Sequence, residues 1–456
     1  MLYQLDSFDP APLPPSELNS HVITVPTRSD QMLRVSEFVG LGNLIGPEDM
    51  AYDAKSGVIY TGCHDGWISR VTVNDSAADS VVEKWVNTGG RPLGIAFGHN
   101  NELIVADPEK GLLNVTADGV VELSTNEAEG QKFKTTDAVD VAHNGIIYFS
   151  DASHKYSLSK FIYDILEGRP NGRLLSYDPA TKTTKVLVRD LYFANGVMAT
   201  PDQNYVIFCK TPTRRCRKYH IQGKEKGKVE KFIEYLSGMP DNIRYDGDGQ
   251  YWIVDGQSRL ALWDIAFRHP FIRKFLIIME KYNRRPRMEK GSGVMVIDLA
   301  GNPIAHYYDP ELSLISSAMK IKNYLYCGSV YYPYILRLHL KQYPERVHIK
   351  RVSTANIFKK RPSNAAVNKE KSSWPFTLFV TVLVPVVAAT MLYQLDSFDS
   401  AHLPPSKLNS HVITVPTRSH QTLRVSEFVG LGNLIGPEDM AYDAKSGLRS
   451  HLHWLS

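Results

Sequence analysis

Residues 137–151 read DAVDVAHNGIIYFSD, and this stretch shows the unit from which most of the chain is built. A first apolar run leads into a turn of His, Asn and Gly, and a second run rich in apolar and aromatic residues ends in Asp. β-Branched and aromatic residues bounded by turn residues are typical of paired strands. The stretch therefore predicts a β-hairpin.

Six such units follow one another along the chain. The others are EDMAYDAKSGVIYTG (48–62), LGIAFGHNNELIVAD (93–107), NGVMATPDQNYVIFCK (195–210), DNIRYDGDGQYWIVD (241–255) and SAMKIKNYLYCGS (317–329). Spacings of roughly 45–60 residues fit four-stranded propeller blades. The sequence thus predicts an all-β protein, a six-bladed β-propeller over residues 33–345. We expect LRVSEFVG (33–40) to supply the outer strand that closes the ring.

Two longer segments interrupt the regular spacing of the repeated units. Residues 153–173 and 261–287 carry helical spacing of apolar side chains. We expect them to form helical insertions that cap one mouth of the propeller and wall its pocket. The alternative is that they only decorate the solvent-facing surface.

The end of the chain repeats its beginning. Residues 391–447 match residues 1–57 except at five positions, and the likeness stops after Gly447. Because the second copy ends before one blade is complete, it indicates a tandem duplication cut short. The predicted domains are an N-terminal extension (1–32), the propeller (33–345), a basic linker (346–373), an apolar segment (374–392) and a truncated duplicate of residues 3–57 (393–456), expected to be disordered.

The apolar segment at 374–392 follows several lysines and arginines. A positive flank before an apolar run is typical of a signal peptide or signal anchor. We interpret it as the targeting segment of the second copy, a C-terminal apolar helix that could associate with a membrane. The first copy is expected to have lost its own.

Several motifs carry a resemblance to a known family. GPEDMAYD, TTDAVDVAHNGIIYFSDAS, FANGVMATPDQNYVIFCKT, MPDNIRYDGDGQYWI and NYLYCGSVYYPYILRL resemble the plant strictosidine synthase-like family. That family is similar to adipocyte plasma membrane-associated protein and to paraoxonase- and gluconolactonase-type propellers. The resemblance implies delivery to the vacuole or endomembranes through the secretory pathway. The glycosylation sequons at Asn74 and Asn114 agree with it.

One position of the repeated unit carries side-chain oxygens in most blades. At the start of each first strand stand Glu48, Leu93, Asp137, Asn195, Asp241 and Ser317. Inner strands line a propeller's channel, so the carboxylates and the amide should converge and repel unless a cation neutralises them. We predict bound Ca²⁺, with Asn242 as a further ligand. The alternative is that these residues cap strands and turns.

The family resemblance gives the same ligands. Paraoxonase-like enzymes hold a catalytic calcium ion, and their ligand set carries over to Glu48, Asn195, Asp241 and Asn242. Asp137 stands where those enzymes usually have Asn. A calcium-dependent hydrolase of small esters or lactones is therefore expected, with Asp241 as the catalytic carboxylate. A non-catalytic ligand- or partner-binding propeller is the alternative.

Strictosidine synthase activity itself is the least expected function. In that enzyme a sixth-blade glutamate acts as the base. Here no Asp or Glu occurs between Glu311 and Glu345, and Ser317, Ala318 or Met319 takes the place. None of these side chains accepts a proton at neutral pH.

Charge and cysteine content limit the remaining choices. A net charge of +4 over 456 residues gives no basis for nucleic-acid binding. The expected hydrolase would act on a small-molecule substrate, and the oligomeric state stays open. The four cysteines match no zinc pattern. Cys209 and Cys216 either form a hairpin disulfide or remain, like Cys63 and Cys327, separate buried thiols.

Overall fold

β-Strands make up most of the fold and form six blades around a common axis. The computed structural model describes residues 8–18, 21–258, 261–286, 288–341, 440–442 and 449–451. Within each blade, successive strands pair antiparallel, from an inner strand at the axis to an outer strand. The predicted six-bladed propeller is confirmed.

The first four blades follow the order of the chain. Blade 1 contains β3 (Met50–Asp53), β4 (Val58–Gly62), β5 (Trp67–Thr72) and β6 (Val81–Asn87). Blade 2 contains β7 (Ile95–Phe97), β8 (Leu103–Asp107), β9 (Gly111–Val115) and β10 (Val121–Thr125). After the short hairpin β11 (Glu127–Ala128) and β12 (Gln131–Lys132), blade 3 contains β13 (Thr136–Val141), β14 (Ile147–Asp151), β15 (Gly172–Asp178) and β16 (Thr183–Leu191). Blade 4 contains β17 (Ala194–Ala199), β18 (Tyr205–Lys210), β19 (Arg215–His220) and β20 (Val229–Ile233).

The last two blades each include a strand from the N-terminal part of the chain. Blade 5 contains β21 (Gly238–Tyr245), β22 (Gln250–Ser258), β23 (Ser292–Asp298) and β24 (Pro303–Asp309), and β1 (Thr27–Asp30) adds to β24 in parallel. Blade 6 contains β25 (Ile315–Ile321), β26 (Tyr324–Ser329), β27 (Ile335–His339) and β2 (Glu37–Val39).

Ring closure occurs in blade 6, as the sequence predicted. Strand β2 pairs antiparallel with β27, and Arg337 Nε donates to Glu37 Oε2 at 2.8 Å. This pairing joins residues 300 positions apart and completes the four strands of blade 6. Strand β1 lies within the predicted N-terminal extension. Its pairing with β24 gives blade 5 a fifth strand.

Neighbouring blades pack through apolar side chains on their faces. One buried cluster joins blades 2 and 3. It contains Ala106 and Leu112 of blade 2 and Val139, Phe149 and Leu175 of blade 3, all fully buried. Strand residues alternate between the two faces of a sheet, so each blade can bury both faces between its neighbours. This packing fixes the distance of every inner strand from the axis.

Three helices cover one end of the propeller. They are α1 (Phe161–Glu167), α2 (Ala261–Arg268) and α3 (Pro270–Lys281), and they come from the two predicted insertions. Trp263 and Ile277 of these helices share a buried cluster with Met239 at the start of β21 and with Phe8 of the N-terminal extension. The insertions leave the ends of β14 and β22, which lie at the same end of the antiparallel blades as the starts of the inner strands. The predicted cap therefore covers the end that carries the candidate site.

Two cysteines are joined in blade 4. Cys209 of β18 and Cys216 of β19 are directly opposed and form a disulfide, while Cys63 and Cys327 are free and buried. The disulfide resolves the choice that the sequence left open.

The second unit of the chain comprises residues 354–456. It is described only at β28 (Met440–Tyr442) and β29 (Arg449–His451), which pair antiparallel. The predicted basic linker, the apolar segment 374–392 and nearly all of the duplicate lie outside the described residues. Within the described ranges, no helix is long and apolar enough to cross a membrane.

Candidate functional site

The inner strands of blades 3 to 6 share a β-bulge close to their first residues. In β13 the register shifts between Thr136 and Val139, in β17 between Ala194 and Val197, and in β21 between Pro240 and Ile243. Strand β25 shows the same kind of shift between Ile315 and Ser317. A bulge places one extra residue against the partner strand and re-aims the side chains within it.

These bulges contain the oxygen-bearing residues that the sequence singled out. Asp137 and Asn195 lie within the bulges of β13 and β17, and the consecutive residues Asp241 and Asn242 lie within the bulge of β21. In a regular strand, consecutive side chains point to opposite faces. The bulge explains how both residues of the pair can contribute to one site.

A hydrogen bond ties two of the site residues together across the axis. Asn242 Nδ2 in blade 5 donates to Glu48 Oε1 in blade 1 at 3.0 Å. The side chain of Asn195 in blade 4 acts to lower the pKa of Asp241. The structure thus brings Glu48, Asn195, Asp241 and Asn242 together, and the carboxylate of Asp137 lies close enough to raise the pKa of both Glu48 and Asp241.

Burial is deep for most of this group. Glu48, Asp137, Asn195 and Asn242 are at most 5% exposed, whereas Asp241 is partly exposed. Burial raises the pKa of Asp137 to about 7. Burial also raises the pKa of Glu48 and of Asp241 well above the ordinary carboxyl range, and neighbouring carboxylates add to both shifts. The site therefore resists carrying its full negative charge without a cation.

Three buried oxygens in the site have no hydrogen-bond partner. They are Glu48 Oε2, Asn195 Oδ1 and Asn242 Oδ1, contributed by three different blades. Most buried polar atoms in proteins are paired, so such orphaned acceptors need a specific explanation. Carboxylate and amide oxygens are the ligands that Ca²⁺ prefers. The donor set fits a hard cation.

The amides are essential to that fit. Among the described residues, no three His, Cys, Asp or Glu side chains come close enough together to hold a metal ion. A cation at this mouth would therefore need Asn195 and Asn242 in addition to carboxylates.

Carboxylates elsewhere in the blades show the structural role that the sequence allowed for such residues. Asp107, at the end of β8, accepts a hydrogen bond from Thr88 Oγ1 at 3.0 Å. Asp151, at the end of β14, accepts from the Thr135 N–H at 3.1 Å and pairs with Arg173 at 2.5 Å. These partners hold connecting loops in place. Glu48 Oε2 has no comparable partner.

The sixth blade contributes hydroxyl groups to the site. Ser316 Oγ and Ser317 Oγ donate to the carbonyl oxygen of Glu48 at 2.7 and 2.6 Å. Gly328 permits this approach, because a Cβ there would meet Ser317 Oγ at 2.5 Å and the Glu48 carbonyl oxygen at 2.6 Å. The two serines thus hold the backbone that carries Glu48.

Arg91 is a site residue that the sequence analysis missed. It is 8% exposed, donates from Nη2 to the Val330 carbonyl oxygen at 3.3 Å, and leaves its Nε without a partner. Burial lowers the pKa of its guanidinium, and the carboxylates of Glu48 and Asp137 act in the opposite direction. Arg91 therefore partly offsets the negative charge of the site. In the repeated unit the equivalent position of blade 2 is Leu93, so the sequence pattern does not mark Arg91, two residues earlier.

A second ionic group lies further along the inner strands. Arg244 of β21 pairs with Asp49 and also donates to the Ile95 carbonyl oxygen at 3.0 Å. The carboxylate of Asp140 accepts from the Ala199 N–H at 2.8 Å, and Arg244 acts to lower the pKa of that carboxyl against the effect of burial. Charged residues inside otherwise apolar inner strands are the sequence signal that could have revealed this group.

A six-bladed propeller with converging carboxylate and amide oxygens at its capped end defines the class of this protein. The sequence matches the family described as strictosidine synthase over residues 137–224, and the family described as strictosidine synthase-like, N-terminal, over residues 29–71. Strictosidine synthase-like protein 6 of Arabidopsis thaliana is 55% identical over 345 residues, 75% of this chain and 92% of the relative. The chain belongs to the strictosidine synthase-like family.

More distant relatives extend the comparison. Adipocyte plasma membrane-associated protein of Gallus gallus is 32% identical over 355 residues, covering 73% of this chain and 84% of the relative. Among solved structures, a putative gluconolactonase has a TM-score of 0.48 at 15% identity, covering 67% of this chain and 91% of that one. A calcium-binding regucalcin from Agrobacterium tumefaciens has a TM-score of 0.46 at 15% identity, covering 68% and 95%.

Proposed function

We propose that the capped mouth of the propeller binds Ca²⁺ and that the protein hydrolyses small esters or lactones there. The observation that carries the proposal is the set of three buried, unpartnered oxygens on Glu48, Asn195 and Asn242. Leaving a buried acceptor unpaired costs about 1–3 kcal/mol, so three in one place indicate a missing cationic partner. Small esters and lactones are the proposed substrates.

Glu48, Asn195, Asp241 and Asn242 would hold the ion, with Asp137 as a nearby negative charge. When bound, calcium supplies polarisation of a carbonyl oxygen. Asp241 is the only one of the five site residues that is partly exposed, so it is the carboxylate that can meet a substrate or a water molecule. Burial and the carboxylate of Asp137 raise the pKa of Asp241, and the side chain of Asn195 acts to lower it.

Calorimetric titration with Ca²⁺ tests the metal site. Glu48→Gln removes one charge at nearly constant shape and should weaken binding by at least about tenfold, since one carboxylate ligand and its charge are lost. Asp140→Asn is the matched control, because Asp140 lies three residues beyond Asp137 on the same strand and bonds the Ala199 N–H instead. Equal calcium affinity in wild type and Glu48→Gln would contradict the proposed site.

Turnover of aryl esters and lactones tests the catalytic role. Asp241→Ala should abolish hydrolysis, and chelation of calcium should do the same to the wild type. Asp241→Asn keeps an oxygen ligand but cannot accept a proton at neutral pH, so it should retain more calcium binding than activity. Hydrolysis that survives Asp241→Ala would remove the catalytic part of the proposal.

A non-catalytic, ligand-binding propeller is the second candidate. It is favoured by the burial of Glu48, Asp137, Asn195 and Asn242, which leaves little of the site in contact with solvent. It is favoured also by the lack of an acid in β25, the inner strand of the sixth blade, where Ser317 stands. Calcium binding without turnover of any ester or lactone would select this function over hydrolysis.

Location in the vacuole or endomembranes is proposed from family membership. The disulfide Cys209–Cys216 agrees with folding in an oxidising compartment. Asn74 is exposed in its sequon and available for glycosylation. A mobility shift on treatment with an N-glycosidase, reduced in Asn74→Gln, tests both points, and an unmodified chain from plant membranes would contradict them.

A further inference from the structure

Helix α3 carries apolar side chains on two opposite faces. Leu276 and Ile277 are buried in the cap cluster and hold the helix against the propeller. On the outward side, Phe271 is 64% exposed and Phe275, one turn later, is 43% exposed. Ile265 of the adjacent helix α2 is 42% exposed. Phe271 and Phe275, four residues apart, share one face of α3, and neighbouring exposed apolar side chains of this size mark an interaction surface.

The charges around these side chains are mainly positive. Four exposed cations stand on these helices or just after α3: Arg268, Lys274, Lys281 and Arg284. The two acidic residues of α2 and α3 each lie near an arginine, Asp264 at 3.8 Å from Arg214 and Glu280 at 2.6 Å from Arg285. The outward face of α2 and α3 therefore offers apolar bulk within a positive rim.

This composition favours one kind of partner. Lysine is depleted in the cores of protein–protein interfaces, yet Lys274 stands directly beside Phe275. At a lipid surface, by contrast, aromatic rings enter the headgroup boundary while long cationic side chains reach anionic phosphates. We propose that the outward face of α2 and α3, defined by Ile265, Phe271, Lys274 and Phe275, docks the protein on an anionic phospholipid surface. This docking is independent of the proposed hydrolysis.

A site-specific fluorescent reporter tests the docking in the full chain. Cys63 and Cys327 are buried and Cys209 is bonded to Cys216, so a cysteine introduced at a surface position can be labelled selectively. Ile265→Cys, labelled with an environment-sensitive dye, keeps both phenylalanines and reports on this face alone. Val81→Cys is the matched control, because Val81 is 59% exposed on the outer strand of blade 1. Because the dye reports only on its own surroundings, it distinguishes binding through the cap from membrane association through residues 374–392.

Vesicles of phosphatidylcholine with added phosphatidylserine should shift the emission at position 265 to the blue and leave the control at 81 unchanged. Phe271→Ser should lower the apparent vesicle affinity by about tenfold, since roughly half a phenylalanine ring loses its apolar contact. Lys274→Gln should lower the affinity about fivefold for anionic vesicles and leave it unchanged for phosphatidylcholine alone. Circular dichroism should remain that of the wild type.

Three results would overturn the proposal. The first is a reporter at 265 that does not respond to anionic vesicles. The second is a reporter that responds equally when Phe271→Ser and Phe275→Ser are combined. The third is a wild-type dimer in analytical ultracentrifugation that this double variant converts to a monomer, which would assign the face to a second copy of the chain.

Discussion

Asn242 in blade 5 and Glu48 in blade 1 are 194 residues apart in the chain and are joined by a buried hydrogen bond of 3.0 Å. The amide donates its Nδ2 to Glu48 Oε1, while its own Oδ1 and the second carboxylate oxygen remain without partners. One bond thus joins two residues that each keep an unpartnered acceptor. The site is organised by this contact across the channel rather than within any one blade.

Replacing Asn242 by Asp should make the fold depend on calcium. The new carboxylate can no longer donate to Glu48 and adds a like charge beside it, so we expect a loss of about 1–3 kcal/mol in the free energy of unfolding when a chelator is present. Excess Ca²⁺ should restore more stability to this variant than it adds to the wild type. Thermal melts with and without calcium measure the difference.

The control for that experiment is Asn204→Asp, at an exposed turn where Asn204 contacts Asp202 and Gln222. Its melting temperature should not respond to calcium beyond the response of the wild type. A calcium response equal in Asn242→Asp and in the wild type would argue against a cation at this mouth.

Gly196 keeps the inner strands of blades 4 and 5 in close contact. A Cβ at this position would overlap the carbonyl oxygen of Asp241, which is backbone and cannot turn away. Gly196→Ala should therefore push β17 away from β21 and lower the free energy of unfolding by about 1–3 kcal/mol. It should also weaken calcium binding, because Asn195 moves with its strand.

Gly256→Ala is the matched substitution for this test. A Cβ at Gly256 would meet its nearest atom, the Ile315 carbonyl oxygen, at 3.2 Å, so only a small adjustment is needed. Urea unfolding should show a clearly smaller loss than for Gly196→Ala. Equal losses would mean that the contact between β17 and β21 is not the cause.

The cap contains a carboxyl group that should make stability depend on pH. Asp164 of α1 is 2% exposed, and burial raises its pKa to about 7, against the lowering effect of the hydrogen bond from Asn171. Because this pKa lies above that of the unfolded chain, the native state binds more protons between about pH 4 and pH 7. The contribution of Asp164 to stability is therefore full at low pH and is lost as the pH rises through about 7.

Asp164→Asn cannot ionise and should not show this loss. The free energy of unfolding of the variant relative to wild type should rise by up to about 1.4 kcal/mol per pH unit across that window and then level off. Urea titrations from about pH 5 to pH 8 measure it. A pH-independent difference between the two proteins would show that Asp164 is ionised throughout.

Thiol chemistry checks the cysteine arrangement. The native chain should react with no thiol reagent at a measurable rate, because Cys63 and Cys327 are buried and the other two cysteines are bonded. Unfolding without reductant should expose two thiols, and unfolding with reductant should expose four. Replacing both Cys209 and Cys216 by Ala should lower the free energy of unfolding by about 2–3 kcal/mol. Four titratable thiols without reductant would exclude the disulfide.

The repeated unit was enough to predict the blades. An apolar strand, a turn such as that around Gly145, where φ is +82°, and a second strand are encoded locally in each of the six stretches. Alignment of the six units also placed the site residues at equivalent positions, which in a propeller face the same axis. These residues are Glu48, Asp137, Asn195 and Asp241. Strand β2 was predictable too, since the last blade lacked a strand and residues 33–40 could provide it.

Tertiary structure alone decided the rest. The bulges that turn Asp241 and Asn242 into one site appear only in the pairing of β21 with β22, and no local pattern marks them. Arg91, in the loop before β7, interacts electrostatically with the carboxylates of Glu48 and Asp137. The strand Thr27–Asp30 pairs with β24, nearly the whole propeller away in sequence. These features depend on contacts between distant segments, whose energies a local sequence does not contain. The chain by itself determined which residues could form the site; the closure of the ring determined which of them meet.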